Sequence, residues 1–399
     1  MLVAVCALGI VQITAWGTSY YCLGVLAGPI TTDTGWSRSF VYLGFTVSLL
    51  VMGLISTSAG RAIDRYGPRL VMTVGTLVIS LALYLLSRVT SEITYLALWA
   101  LLGLGMRLSL YDAAFAALVH VLPTRGRAAI SYLTLFGAFA STVFWVIGHY
   151  LNEAGGWRHT LAVFSAINLA VCLPLTWIAL WRSESNALRQ SDAVKGDAHS
   201  GPSLEGNRRI VGIVLFALVM SLNGFVFSVL AVQLVPLLEG SGLATTAAVW
   251  VASLKGFAQF GGRVIEIIGA RNLHAMTVAR IAIGVLPVSL VILVVSGGGL
   301  HAMIAFTLLM GASQGVITIV RGAVPLALFG VSGYGAVLGL IATPVLLVNA
   351  ASPTLFALIV DGWGWPAAQI TLLAASLAAF VAMEQMSRWY RRNRERDPQ

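Results

Sequence analysis

Charged residues are scarce in this sequence. Only 10% of its 399 residues are Asp, Glu, Lys or Arg, whereas 58% are hydrophobic, and the mean hydropathy is +0.89. Soluble globular domains carry about a quarter of charged residues, so this composition excludes an ordinary soluble domain. The charges gather in short clusters between apolar runs of about 20 residues, the length of helix that crosses a bilayer. The pattern predicts a polytopic helical membrane protein.

Cysteines and catalytic motifs are also few. The three cysteines, Cys6, Cys22 and Cys172, lie in apolar runs without pairing or metal-ligand spacing, so we interpret them as small buried side chains. No nucleophile elbow, HExxH metal motif or Walker loop occurs. We therefore expect neither enzymatic activity nor a cofactor or metal site. The net charge of +9 does not indicate nucleic acid, because the basic residues follow the loops of one membrane face.

Apolar runs separated by polar loops predict an all-α protein with twelve transmembrane helices. The first run is expected to be a retained span, because Met1 leads directly into apolar sequence without the basic region of a signal peptide. The predicted spans are residues 3–29, 40–60, 70–88, 93–119, 128–151, 159–181, 210–237, 246–267, 274–296, 301–324, 334–359 and 366–386.

The distribution of Lys and Arg predicts which loops are cytoplasmic. Eighteen of the 24 basic residues fall in loops on one face, in the central linker or in the C-terminal tail, and three fall on the opposite face: Arg38, Arg88 and Arg158. Short loops rich in Lys and Arg stay in the cytoplasm. We therefore expect an inner (plasma) membrane protein of bacterial type with cytoplasmic termini.

A repeated motif predicts a tandem duplication. The segment GRAIDRYGPR at 60–69 recurs as GRVIEIIGAR at 262–271 with five identical positions. Further pairs at a similar offset are Gly17 and Gly224, Pro29 and Pro236, Gly35 and Gly242, Glu153 and Asp361, and Trp157 and Trp365. The predicted domains are a six-helix bundle at 1–181, a cytoplasmic linker at 182–209, a second six-helix bundle at 210–387 and a basic tail at 388–399.

Six spans, a basic linker, six more spans and the 60–69 motif resemble the major facilitator superfamily over essentially the whole chain. The resemblance implies two pseudo-symmetric six-helix bundles and transport by alternating access. Together with Gly35-Trp36-Ser37-Arg38, the motif looks most like the monocarboxylate and oxalate/formate porter branch. The residues that match the family signature are Gly60, Asp64, Arg65, Gly67 and Arg69, with Pro68 where a second basic residue is common.

In the family that this chain resembles, contacts of the motif hold the cytoplasmic side shut. On physical grounds, Asp64 is expected to cap a neighbouring helix N-terminus or to pair with an arginine. The second copy has Ile267 in place of Arg65, so one seam would be held more strongly than the other. Alternatively, these charges only set topology and loop shape. The candidate gate residues are Gly60, Asp64, Arg65, Gly67, Arg69, Arg263, Glu266 and Arg271.

Charged residues inside predicted spans are candidates for a transport site, because charge at bilayer depth is costly. Arg107 lies in the fourth span, where it would meet an anionic substrate or stabilise a neighbouring helix. Asp112 would carry a proton, or form an interhelical salt bridge without transport chemistry. On a continuous helix the two side chains point about 140° apart and cannot pair simply. Tyr111 would share the face of Arg107.

Lys255 is the corresponding candidate in the second half, with Gln259 one turn further on. In the resembling porter branch, a basic residue on the eighth span anchors a carboxylate, although a lysine cannot bind it bidentately. Arg280 and Arg321 lie nearer to span ends, where we expect them to reach toward the membrane surface. The remaining candidates for substrate binding are Gln12, Trp16 and Tyr20 on the first span and Asn349 on the eleventh.

These observations favour a secondary transporter for a small, monocarboxylate-like organic anion, with a proton as an optional co-substrate in symport. The expected partners are this substrate and membrane lipid, and one chain holding both halves is expected to work as a monomer. Efflux of drug-like or metalloid compounds is the alternative, although residues 128–151 lack the proline of the family's antiporter motif. A transporter-like sensor or scaffold is a remote third reading, because the linker and tail are short.

Overall fold

The computed structural model describes residues 2–180, 204, 206–270 and 273–394. The described chain folds into helices and contains no strand. Most of the predicted linker at 182–209, the candidate gate residue Arg271 and the last five residues of the predicted tail lie outside the described residues. The seventh span begins at Gly206, four residues before its predicted start, and the tail up to Arg394 continues the last helix.

In the first half, two π-helical turns interrupt the helices, at Trp16–Tyr20 and at Asn168–Cys172. The helices are α1 (Leu2–Ala15), α2 (Leu23–Thr34), α3 (Arg38–Leu54), α4 (Ser56–Tyr66), α5 (Pro68–Leu86), α6 (Glu92–Ser109), α7 (Tyr111–Val121), α8 (Gly126–Gly137), α9 (Ala140–Ile167) and α10 (173–180).

In the second half, the helices are longer and fewer. They are α11 (Gly206–Val232), α12 (Leu234–Gly240), α13 (Thr245–Gly269), α14 (Ala275–Val295), α15 (Leu300–Phe329) and α16 (Tyr334–Arg394).

These helices account for the predicted crossings. Within the described residues, eight apolar helical segments are long enough to cross a membrane, and α3 with α4, bent by 54°, makes a ninth. Two of the segments, Gly126–Leu180 and Tyr334–Asn393, have 55 and 60 residues, which is enough for two crossings each at about 1.5 Å per residue. With both divided these segments make eleven, and the 25-residue α13 lies at the position of the remaining predicted span.

Both long segments are divided at a glycine. Gly156 has φ 78° and ψ 176°, and Gly364 has φ 76° and ψ 175°. A side chain at either position would be strained by this backbone conformation, which glycine adopts freely. The two glycines lie 208 positions apart, the same offset that relates Trp157 to Trp365. The duplication therefore repeats a backbone bend as well as a sequence motif.

The chain divides into two compact units. The first contains residues 2–180 together with Gly330–Thr343, and the second contains the described residues of 204–329 and 344–394. The first turns of α16 thus pack with the first unit. The core of the second unit is built from α11 to α16 and includes Leu237, Leu290, Phe306 and Phe356.

The predicted charged loop between the second and third spans is mostly helical. Arg61, Asp64 and Arg65 lie in α4, which continues to Tyr66 after the bend at Ile55. Gly67, with φ 84°, ends this helix, and Pro68 begins α5. The prediction that the whole segment is a loop was wrong, because the residues before Gly67 are compatible with a helix and only Gly67 and Pro68 interrupt it.

Candidate functional site

A break in the fourth span shapes the polar centre of the first unit. The helix ends at Ser109, Leu110 takes an extended conformation with ψ −167°, and α7 starts at Tyr111. Backbone groups released by such a break must find partners when they are buried in a membrane. The side-chain amide of Gln12 donates to the carbonyl of Ser109 at 2.8 Å, and the Ser109 hydroxyl donates to the carbonyl of Met72 at 3.3 Å.

Arg107 and Asp112 form a buried ion pair across this break. The guanidinium Nη1 donates to Asp112 Oδ2, and the two residues are 3% and 5% exposed. The expectation that they point about 140° apart was wrong, because it assumed a continuous helix. The extended Leu110 turns the chain so that the Asp112 carboxylate faces back toward Arg107. Each charge is balanced locally by the other.

Gln12, Trp16 and Tyr111 are assembled around the π-helical turn of the first span. The indole Nε1 of Trp16 donates to Gln12 Oε1 at 3.1 Å, and its ring centre lies 5.0 Å from that of Tyr111. Gln12 itself is fully buried, so its amide links Trp16 to the broken fourth span. Isolated π-helical turns often occur at functional sites.

Tyr20 extends the same group of aromatic rings. Its ring centre lies 4.7 Å from Trp16, 5.2 Å from Tyr21 and 4.8 Å from Phe45. We call Trp16, Tyr20, Tyr21, Phe45 and Tyr111 the aromatic cluster. Phe45 could not be selected from the sequence, because a phenylalanine in an apolar span carries no signal of its own. Trp16, Tyr20, Tyr21 and Phe45 are partly exposed, whereas Tyr111 is buried.

Lys255 lies in the middle of α13 in the second unit. Its ammonium donates to the carbonyl of Leu230 at 2.9 Å and lies 5.8 Å from the centre of the Phe227 ring. Among the residues that the structure describes, no carboxylate lies within ion-pair distance of it. Phe227 was not selected from the sequence. The face of its aromatic ring attracts the ammonium by a cation–π interaction.

Gln259 and Asn349 lie in different surroundings. Gln259 is half-buried on α13, and its backbone carbonyl lies against Gly315 of α15. The side-chain amide of Asn349, oriented with its nitrogen toward the seventh span, donates to the Gly224 carbonyl at 2.9 Å. The Asn349 backbone carbonyl accepts from the Ser228 hydroxyl at 2.7 Å. Asn349 therefore joins α16 to α11.

Arg280 has a carboxylate partner. Its Nε and Nη2 donate to the two carboxylate oxygens of Glu384 at 2.6 and 2.9 Å. The expectation that Arg280 only reaches toward the membrane surface was incomplete, because Glu384 on α16 supplies a bidentate partner. Lys255 and Arg280 thus differ in what balances their charge.

Asp64 caps a helix, one of the two roles expected for it. Its two carboxylate oxygens accept from the backbone N–H groups of Gly335 and Ala336, at 2.9 and 2.7 Å, at the start of α16. A carboxylate at a helix N-terminus satisfies free N–H groups and interacts favourably with the helix dipole. Gly60 packs against the Gly335 carbonyl so closely that a Cβ atom would clash with it.

The other candidate gate residues have diverse contacts. Gly67 forms the junction of α4 and α5, Arg65 lies over the ring of Tyr66 at 5.2 Å, and Arg69 lies over Trp177 at 4.8 Å. In the second copy, Arg263 and Glu266 are both 5% exposed, and Arg263 Nε donates to the Gly315 carbonyl at 3.4 Å. The two charged side chains of the second copy are thus buried, whereas Ile265 and Ile268 of the same segment are exposed.

A family comparison decides what kind of protein carries these features. The family model described as Major Facilitator Superfamily matches residues 8–299, nearly three quarters of the chain. The chain belongs to the major facilitator superfamily. It is therefore a membrane transporter by family, and the fold described above is the major facilitator fold.

Two curated relatives of this major facilitator protein are, by name, a multidrug resistance protein and an efflux protein. Multidrug resistance protein MdtL of Citrobacter koseri is 27% identical over 170 residues, which cover 42% of this chain and 43% of the relative. Agnestins efflux protein AgnL12 of Paecilomyces divaricatus is 28% identical over 182 residues, 45% of this chain and 39% of the relative. The chain spans less than half the length of each of these relatives.

The fold also matches solved major facilitator structures. The crystal structure of the human organic anion transporter MFSD10 (TETRAN) superimposes with a TM-score of 0.74, covering 96% of this chain and 99% of that one. Sequence identity is 17%, so the match concerns the fold alone.

Proposed function

We propose that this major facilitator protein is a secondary transporter for an amphipathic organic anion, with Lys255 as the group that binds its carboxylate. The supporting observation is the setting of Lys255. Its ammonium lies in the middle of α13 with a backbone carbonyl as hydrogen-bond partner and, among the described residues, no carboxylate to balance it.

An unbalanced cation at this depth requires compensation. A positive charge inside a membrane is costly unless a counter-ion or water stabilises it. The ion pairs of Arg107 with Asp112 and of Arg280 with Glu384 meet this cost within the protein. Lys255 would offset the cost of its charge by binding an anion. Its ammonium suits a single carboxylate because it acts as a point charge, without the bidentate donor geometry of a guanidinium. A monocarboxylate fits this geometry.

The first unit has an apolar surface of its own, the aromatic cluster. The aromatic cluster offers ring faces within a few ångströms of one another, and Gln12 fixes Trp16 by a hydrogen bond. Aromatic rings with polar edges bind amphipathic organic molecules well. In this proposal, Arg107 positions the broken fourth span, and proton coupling through Asp112 requires its pair with Arg107 to open during the cycle.

Asp64 would act as a gate residue in the same cycle. Its contacts with Gly335 and Ala336 bind α4 to the start of α16. Because Asp64 is exposed, water can replace these hydrogen bonds, so the contact can be broken and remade during the cycle. Arg263 and Glu266 of the second copy are both buried. In this proposal they form a second gate contact that is weaker than that of Asp64.

Binding of organic acids to the purified protein tests the role of Lys255. A thermal-shift screen of mono- and dicarboxylates should yield a stabilising ligand for the wild type and for Lys255→Arg, but not for Lys255→Met. A matched control replaces a balanced pair in the same unit, Arg280→Gln with Glu384→Gln, and should keep the ligand shift. An unchanged shift in Lys255→Met would remove the proposal.

Efflux of drug-like compounds is the second candidate, and the names of the two curated relatives favour it. The aromatic cluster would serve an uncharged or cationic aromatic substrate equally well. Expression in a host lacking its own efflux pumps separates the candidates. Raised resistance to several unrelated compounds, unchanged in Lys255→Met, would support multidrug efflux over anion transport.

A further inference from the structure

A pocket between the end of α5 and the bend of α9 is lined by cationic side chains, which are scarce in this sequence. It is lined by Ser87, Arg88, Arg158, His159 and Ala162 and has a volume of about 410 Å³. We call it the Arg88 pocket. Only three Lys or Arg residues occur on the predicted non-cytoplasmic face, and two of them, Arg88 and Arg158, lie here. The imidazole of His159 also lines the pocket.

Arg158 is held rigidly at one wall of the pocket. Its guanidinium pairs with Asp33, donates to the Val89 carbonyl at 3.0 Å and lies 4.1 Å from the ring of Trp157. The indole of Trp157 also donates to Asp33, at 3.0 Å. These contacts join the ends of α2 and α5 to the segment that follows Gly156. Asp33 balances one positive charge, so the net charge of the pocket comes from Arg88.

Arg88 is the exposed cation of the pocket. Its guanidinium lies 5.6 Å from the ring centre of Tyr84, and no carboxylate of the described residues pairs with it. It follows the end of α5, while Arg158 and His159 begin the segment after the bend at Gly156. Two guanidinium groups and an imidazole around one cavity form a set of donors suited to a phosphate oxyanion.

An exposed apolar strip leads away from this pocket along the same two helices. Leu81, Tyr84 and Leu85 of α5 are 51%, 45% and 37% exposed, and Leu169 beyond α9 is 42% exposed. The helices are tied below the pocket by the Ser165 hydroxyl, which donates to the Ser80 carbonyl at 2.7 Å. A cationic pocket at the membrane surface above an apolar strip is complementary to an anionic phospholipid. The pocket would face the headgroup and the strip would face the acyl chains.

We infer that the Arg88 pocket binds a phosphate oxyanion, supplied by the headgroup of an anionic phospholipid whose acyl chains follow the strip. The site is separate from Lys255 and from the aromatic cluster, and it does not depend on the transported substrate. The Arg88 guanidinium contacts the phosphate, and Arg158, already positioned by Asp33 and Val89, supplies further N–H donors. A bound lipid would hold the end of α5 against the bend of α9.

Native mass spectrometry of the full chain, titrated with dioleoylphosphatidylglycerol in detergent, tests the site. Arg88→Gln should weaken the apparent Kd about fivefold, since a basic residue at a membrane surface contributes on the order of 1 kcal/mol toward an anionic lipid. Arg88→Lys should retain most of the affinity. The matched control is Arg38→Gln, which removes the third cation of the same predicted face, outside the pocket, and should leave the Kd unchanged.

Three results decide the outcome. An unchanged Kd in Arg88→Gln overturns the inference, and so does an equal loss in Arg38→Gln, which would indicate general surface charge. Inorganic phosphate distinguishes the source of the oxyanion. If phosphate alone competes with the lipid at millimolar concentration and its binding needs Arg88, the oxyanion site stands and the lipid is excluded as its preferred occupant. Weak competition by phosphate supports the lipid.

Discussion

At the scale of single residues, the charges inside the predicted spans differ in how they are balanced. Arg107 pairs with Asp112 and Arg280 with Glu384, whereas Lys255 has a backbone carbonyl. Breaking a buried pair by removing one partner leaves an uncompensated charge, which costs much more than removing both. Removing one partner of either pair is therefore expected to destabilise the fold, and Lys255 is expected to serve binding.

The Arg107 pair makes this difference measurable. Arg107→Met and Asp112→Leu alone should each lower the free energy of unfolding by about 3–5 kcal/mol, because each leaves one buried charge. The double variant should recover most of that loss. Reversible unfolding in mixed detergent micelles gives the three values. A double variant as unstable as the sum of the single variants would show that the two residues do not act as a pair.

The same residues show where sequence reasoning fails. The depth and the pairing needs of Arg107 and Asp112 could be read from the sequence, but their relative direction could not. Leu110 carries no signal of a helix break, since it is neither glycine nor proline, and the tertiary contacts of Ser109 with Gln12 and Met72 stabilise the break instead. Partners so distant along the chain cannot be identified from local periodicity.

At the scale of helices, glycines set how closely neighbours pack. Gly262 of α13 faces the backbone of Ala312 on α15, so that a Cβ atom at Gly262 would clash with the Ala312 carbonyl. A Cβ atom at Gly311 or Gly315 of α15 would likewise clash with the backbone carbonyl of Lys255 or Gln259, respectively. Small residues at such interfaces let membrane helices approach each other. The position of Lys255 thus depends on this contact.

Adjacent glycines on α13 provide a matched test of that packing. Gly262→Ala should destabilise the protein by about 1–3 kcal/mol, because the added methyl group overpacks the contact with Ala312. Gly261 has open space around it, so Gly261→Ala should be neutral or stabilise by up to about 1 kcal/mol through helix propensity. Thermal unfolding of both variants checks this. Equal effects at the two positions would contradict the close approach.

The cap formed by Asp64 was one of two roles predicted from the sequence, but its partner was not. A carboxylate in a short basic motif indicates a helix cap by general electrostatics. Gly335 and Ala336 lie about 270 residues away, and their N–H groups are backbone donors that carry no sequence signature. Gly156 and Gly364 are different, because their equivalence follows from the repeat itself.

Hydrogen exchange at the start of α16 tests the Asp64 cap. In Asp64→Ala, the amides of Gly335 and Ala336 lose their acceptors, so peptides covering residues 334–340 should exchange several-fold faster, as expected for the loss of a cap worth about 1 kcal/mol. Arg61→Ala changes an exposed charge on the same helix and should leave the exchange unchanged. Similar rates in Asp64→Ala and wild type would argue against the cap.

At the scale of the whole molecule, sequence pattern and fold agree closely. Apolar runs, a repeated motif and repeated glycines were sufficient to predict a twelve-helix protein of the major facilitator fold, because lipid permits few alternatives to helices with satisfied backbones. Substrate, direction and sidedness depend on a few side chains and remain predictions. Lys255 is the residue on which the proposed substrate class depends.

Counterflow in proteoliposomes tests the proposed transport most directly. Vesicles loaded with the unlabelled organic acid identified by the thermal-shift screen should transiently accumulate the labelled acid through the wild type and Lys255→Arg. Lys255→Met should lower the rate at least about tenfold, while the paired control Arg280→Gln with Glu384→Gln should retain it. Equal counterflow in Lys255→Met, or none with any organic acid in the wild type, would contradict anion transport through Lys255.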